Sequence, residues 1–125
     1  MTVALERPAT TTVRDLMTGP ELQISDDVMI DVAIHILHGS GADHLLVRDD
    51  EGRCAGLLTR AHLAPFRAGS RSAARTPVRD LVLGQGPFAA ADMPATTAAA
   101  AMRARGLTVW PVVDHDGHAI GLLSL

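Results

Sequence analysis

The sequence predicts an α/β fold of two tandem β-α-β-β-α units related by a pseudo-twofold, the second unit lacking its C-terminal helix. Three observations predict it. His44–Thr59 (HLLVRDDEGRCAGLLT) and Val109–Ser124 (VWPVVDHDGHAIGLLS) each hold an apolar run, an acidic turn with Gly and a second apolar run. That is the pattern of a β-hairpin. The two stretches register at a constant shift of 65 residues, which carries Val47, Asp49, Gly52 and Gly56 onto Val112, Asp114, Gly117 and Gly121. The same shift carries Val13-Arg14-Asp15-Leu16 onto Val78-Arg79-Asp80-Leu81, and 13–60 aligns with 78–125 without a gap. An ungapped echo of this kind marks two copies of one structural unit.

The elements follow in order. Residues 1–12 are a polar, Thr-rich lead with Pro8, read as an irregular arm. Val13–Leu16 opens the first unit, 13–66, as a turn of helix or an extended segment, and Met17-Thr18-Gly19-Pro20 is a loop. Leu22-Gln23-Ile24 alternates as a short strand does. Ser25-Asp26-Asp27 offers capping oxygens for a helix over 27–38, with Gly39 and Gly41 as stops. Met29, Ala33, Ile36 and Leu37 share a face of that helix, and Val28, Ile30, Val32 and Ile34 make its other sides apolar. A helix apolar nearly all round is expected to be buried on more than one side, which in so small a chain points to a partner subunit. The first hairpin comes next, and Ala61-His62-Leu63-Ala64 begins a second helix. Residues 67–76 (RAGSRSAART) read as a solvated linker, since a helical Arg67/Arg71/Arg75/Arg79 stripe sets like charges against one another. The second unit, 77–125, repeats the plan: a strand at Pro87-Phe88-Ala89, an Ala-rich helix over 92–105 with Thr96 or Thr97 as caps, and the second hairpin.

Composition narrows the function. With no Tyr, one Trp, two Phe and a net charge of −3, the chain lacks the aromatic platforms and positive charge of a nucleic-acid binder. No apolar run approaches the ~20 residues of a membrane span. The first residues lack the basic-then-apolar pattern of a signal peptide, so a cytoplasmic setting is expected. The single Cys54 sits in a predicted strand and reads as a small buried hydrophobe. No P-loop, G-x-G-x-x-G, nucleophile elbow or HExxH is present, which argues against an enzyme and against a metal site. His115, His118 and the acidic residues around Gly52 and Gly117 read as turn formers, because Asp hydrogen-bonds its own backbone there.

The motifs VRDLMT (Val13–Thr18), LLVRDDEGRCAGLLT (Leu45–Thr59) and WPVVDHDGHAIGLLS (Trp110–Ser124) resemble the cystathionine-β-synthase (CBS) domain, and two in tandem resemble a Bateman module. The resemblance covers nearly everything from Val13 onward. It implies units paired through their sheets, homodimers formed through helices 27–38 and 92–105, and a regulatory, non-catalytic role. No cofactor is required. The implied ligand is adenosine-containing, AMP, ADP, ATP or S-adenosylmethionine, held in a cleft between units. By position, Thr18, Gln23, Gly84 and Phe88 would hold the base. Asp43-His44 and Thr108-Val109 would meet the purine edge through their backbone. The family's closing [ST]-x-x-Asp falls on Thr59…His62 and on Ser124. Here the chain departs from the pattern: His62 stands where a ribose-gripping Asp is expected, and no acidic residue follows Ser124. A ligand-free CBS-fold dimer acting as an interaction module is therefore the second expectation.

Overall fold

The two repeats fold as two small three-stranded sheets that share an apolar cluster, Leu46, Leu57 and Leu122. The computed structural model describes residues 11–19 and 21–125. The arm expected over 1–12 thus lies, apart from residues 11 and 12, outside the described residues. The elements are α1 (Val13–Leu16), β1 (Gln23–Ser25), α2 (Ile30–Ser40), β2 (His44–Arg48), β3 (Cys54–Thr59), α3 (Arg60–Leu63), α4 (Arg71–Arg75), a 3-10 turn at Val78–Leu81, β4 (Ala89–Ala90), α5 (Ala95–Arg105), β5 (Val109–Val113) and β6 (Ala119–Ser124). β1 runs parallel to β2 and β2 antiparallel to β3; β4, β5 and β6 repeat that order. Even the register break recurs, between Val47 and Arg48 and between Val112 and Val113. No counterpart of α3 follows Ser124 in the 125 residues.

Each repeat has its own core. Leu37, Leu45, Val47 and Leu58 anchor the first, and Met102, Trp110, Val112 and Leu123 the second. Leu46, Leu57 and Leu122 form a third cluster between the sheets. The openings are exchanged. Val13 is fully buried in the second core, and Val78 in the first. The Val13 and Arg14 amides donate to the carbonyls of Met93 and Ala91 at 2.9 Å each; the Val78 and Arg79 amides donate to those of Val28 and Asp26 at 2.8 and 3.0 Å.

This exchange shifts both long helices from where their sequences place them. Neither Asp26 or Asp27 nor Thr96 or Thr97 serves as the cap. α2 starts after Met29 and α5 after Pro94, without a side-chain cap. A first-turn amide of each is instead satisfied by the other repeat's opening: Ile30 donates to the Thr76 carbonyl (2.9 Å) and Ala95 to that of Thr11 (2.8 Å). A carbonyl supplied by the fold does the work expected of a capping side chain. α2 buries Ile30, Ala33, Ile34 and Leu37, whereas Val32 is 49% exposed. The stretch read as a solvated linker carries α4. Ser70 Oγ accepts from the Ala73 amide (3.2 Å), Ala73 is buried, and Asp31 Oδ1 accepts from the Gly69 amide (2.8 Å). Its arginines stay exposed.

Gly39 lies inside α2, and a Cβ there would meet nothing within 4 Å. Gly39→Ala is expected to raise stability by about 0.5–1 kcal/mol, because Ala loses less backbone entropy in a helix. Urea denaturation checks this, and a loss of stability would contradict it.

Candidate functional site

Between the repeats lies a cleft of about 580 Å³. Its walls come from the start of β2, the end of β3 with α3, the loop before β4, and the turn from α5 into β5. Hairpin geometry places these parts: His44 pairs with Thr59 across the first hairpin, and Gly106 ends α5 in the left-handed region (φ 68°). The following Leu107-Thr108-Val109 then runs along the cleft.

Six of the residues expected at a site are brought together here: His44, Thr59, His62, Phe88, Thr108 and Val109. Thr59 and His62 lock onto each other. The Thr59 amide donates to His62 Nδ1 (3.0 Å), and Thr59 Oγ1 accepts from the His62 amide (3.4 Å). This is a capping box with an imidazole in the position usually held by Glu or Gln. Because Nδ1 accepts the amide, the neutral ring carries its hydrogen on Nε2.

The other five expected residues do not line this cleft. Thr18 is held on the edge of β6, its amide donating to the Leu122 carbonyl (2.9 Å) and its carbonyl accepting from the Leu122 amide (2.7 Å). Gln23 Nε2 donates to the Ala119 carbonyl (3.1 Å). Asp43 is exposed, 3.8 Å from Arg60 Nε. Gly84 is exposed with φ 73°, and Ser124 is exposed opposite Val109. Shifted by 65 residues, Thr108 falls on Asp43, Phe88 on Gln23 and Thr59 on Ser124, so these three sit on the repeat-related side of the molecule.

Sequence reasoning misses Gln85, Arg105 and Trp110, which shape the cleft. Gln85 imitates a peptide: its Oε1 accepts from the Leu57 amide (2.8 Å) and its Nε2 donates to the Leu57 carbonyl (3.0 Å). Thr18 makes the equivalent pair on Leu122 with its backbone. Arg105 Nη2 and Nη1 donate to the carbonyls of Gln85 (2.6 Å) and Pro87 (2.8 Å). The guanidinium lies 5.6 Å from the centre of the Trp110 ring, whose Nε1 also donates to the Pro87 carbonyl (3.1 Å). No local pattern marks these residues.

The hairpin turns behave as turn formers. Asp49 Oδ1 accepts from the Glu51 and Arg53 amides, and Asp114 Oδ1 from those of Asp116 and His118. Those amide bonds, the one from His118 foremost, hold the Asp114 carboxyl below its ordinary range. They also explain why the possible ligand atoms of Asp114, Asp116 and His118 gather within 4.8 Å at an exposed turn. The two turns meet, with the Cys54 amide donating to the Gly117 carbonyl (2.8 Å). Burial pushes the Cys54 thiol up to about 11, so it is a neutral thiol at neutral pH.

Solved structures share this architecture. The CBS domain pair of protein MJ0100, in complex with 5′-methylthioadenosine and S-adenosyl-L-methionine, is 22% identical at a TM-score of 0.73, over 92% of this chain and 90% of that one. CBSX2 in complex with AMP is 23% identical at 0.72, over 90% and 89%. The cytosolic domain of the Mg2+ channel MgtE in complex with ATP is 22% identical at 0.74, and the match spans 88% of this chain but only 44% of that one. No curated protein matches the chain. A family model for the CBS domain matches twice, at residues 13–68 and 77–125. Two matches in tandem, on two repeats that fold alike and lend each other their openings, make this chain a member of the CBS domain family, in the form of a CBS pair.

Proposed function

We propose that the chain is a non-catalytic regulatory module that binds an adenosine-containing ligand, AMP, ADP, ATP or S-adenosylmethionine, in the cleft between its repeats and signals occupancy to a partner protein. The cleft carries this reading: its rim gathers Thr59 and His62, Phe88, and the Thr108-Val109 backbone from both repeats. The ligands in the MgtE, MJ0100 and CBSX2 structures support it. A ligand that favours one angle between the repeats would shift the population toward it and change the surface offered to the partner. Homodimers through helices 27–38 and 92–105, in the cytoplasm, without a nucleic-acid or membrane partner, complete the proposal. The half-exposed Val32 supports the helix interface, and among the described residues no helix is long and apolar enough to cross a membrane.

Titration calorimetry of ligand-stripped protein with these four compounds tests the reading. At 100 times its Kd, a true ligand adds about 2.7 kcal/mol of stability, seen as a higher Tm. No heat and an unchanged Tm with all four would favour the second reading, a ligand-free interaction module. That reading draws on Thr18 and Gln23, which are engaged in binding β6.

A further inference from the structure

We propose that the cleft selects a nucleoside 5′-phosphate over the uncharged nucleoside and over S-adenosylmethionine, and that each chain takes one such ligand. This deepens the ligand-binding reading above and rests on it. The Arg105 guanidinium and the imidazoles of His44 and His62 line the cleft, and no Asp or Glu does. Two of the five N–H groups of Arg105 hold the loop before β4, leaving three for a ligand. Among the described residues no carboxylate lies within ion-pair distance of this guanidinium. A phosphate would supply the missing counter-charge through charge-assisted hydrogen bonds.

His62 adds to the selection. Its Nδ1 is engaged by the Thr59 amide, so the polar group it has left is an Nε2–H donor. A donor suits a phosphate oxygen, whereas a ribose diol gripped by a carboxylate needs an acceptor that accepts two hydroxyls. S-adenosylmethionine, with two cationic groups against one carboxylate, brings a net positive charge toward the Arg105 guanidinium, where a phosphate brings a negative one.

The repeat-related side lacks this equipment, which sets the stoichiometry. Shifted by 65 residues, Arg105 falls on Ser40 and Trp110 on Leu45, while Phe88 falls on Gln23, already bonded to β6.

Titration of the ligand-stripped full chain with AMP, adenosine and S-adenosylmethionine decides the matter. The adenosine moiety is common to all three, so differences report the charged group. The expected result is one AMP per chain, bound at least about tenfold tighter than either other compound, as charge-assisted contacts give. Arg105→Gln should weaken AMP by about tenfold and adenosine far less. Should that variant misfold, the comparison on the unaltered chain still decides. Adenosine or S-adenosylmethionine binding as tightly as AMP, or two AMP per chain, overturns this proposal and leaves the ligand-binding reading standing. Silence from all three compounds, and from ADP and ATP as well, removes both.

Discussion

Gly121→Ala is expected to cost about 3 kcal/mol and to lower the Tm by roughly 10 °C. A Cβ at Gly121 would be driven into the Thr18 carbonyl, with Met17 Sδ at 3.1 Å beside it. Gly19 faces it across the crossing, where a Cβ would stand 2.6 Å from the Ile120 carbonyl oxygen and 2.7 Å from Gly121 Cα. The Thr18 and Ile120 carbonyls are backbone and have no rotamer to change. The strand must move off, and with it go the paired hydrogen bonds between Thr18 and Leu122, worth about 1 kcal/mol each. Gly56, the repeat-related position, meets a flexible side chain instead, Gln85 Oε1 at 2.8 Å, alongside Val82 Cβ at 3.0 Å. Gly56→Ala is then governed as much by its φ of 157° as by the clash. Thermal and urea denaturation of Gly121→Ala measures the effect, and an unchanged midpoint would mean that the Thr18 segment does not lie on β6.

A larger effect still is expected at Trp110, for which truncation to Ala should cost about 4 kcal/mol. The ring is 3% exposed within the second core. Its loss leaves a cavity, removes the donor to Pro87 and takes away the surface beneath Arg105. Trp110→Phe keeps much of the packing and lacks only the N–H, so about 1–2 kcal/mol is expected. The gap between the two variants separates filling the core from holding the cleft loop. A cost below about 1 kcal/mol for Trp110→Ala would deny the ring its place in the core.

The duplication was legible because apolar spacing, turn chemistry and the repeated opening all depend on local residues. The hairpins fall where Leu45–Val47, Leu57-Leu58 and their repeats place them. The helix starts were not legible, since Thr76 and Thr11 supply their first acceptors from the segments that lead into the other repeat. α4 escaped because a short Arg- and Ala-rich stretch has no apolar face; the Ser70 cap and the burial of Ala73 define it. At the site, the motif positions brought six residues to the cleft. Gln85 takes its role from how the repeats cross, at Leu57, and Arg105 and Trp110 take theirs from a loop well back in their own repeat, at Gln85 and Pro87.

The traded openings bear on how such a chain arose. A forebear with a single unit would have had its Val13-like residue without a pocket and the start of its long helix without an acceptor. A second molecule would have met both needs by reciprocal arm-swapping. Gene fusion would then have turned a concentration-dependent embrace between strangers into one built into every copy of the polypeptide.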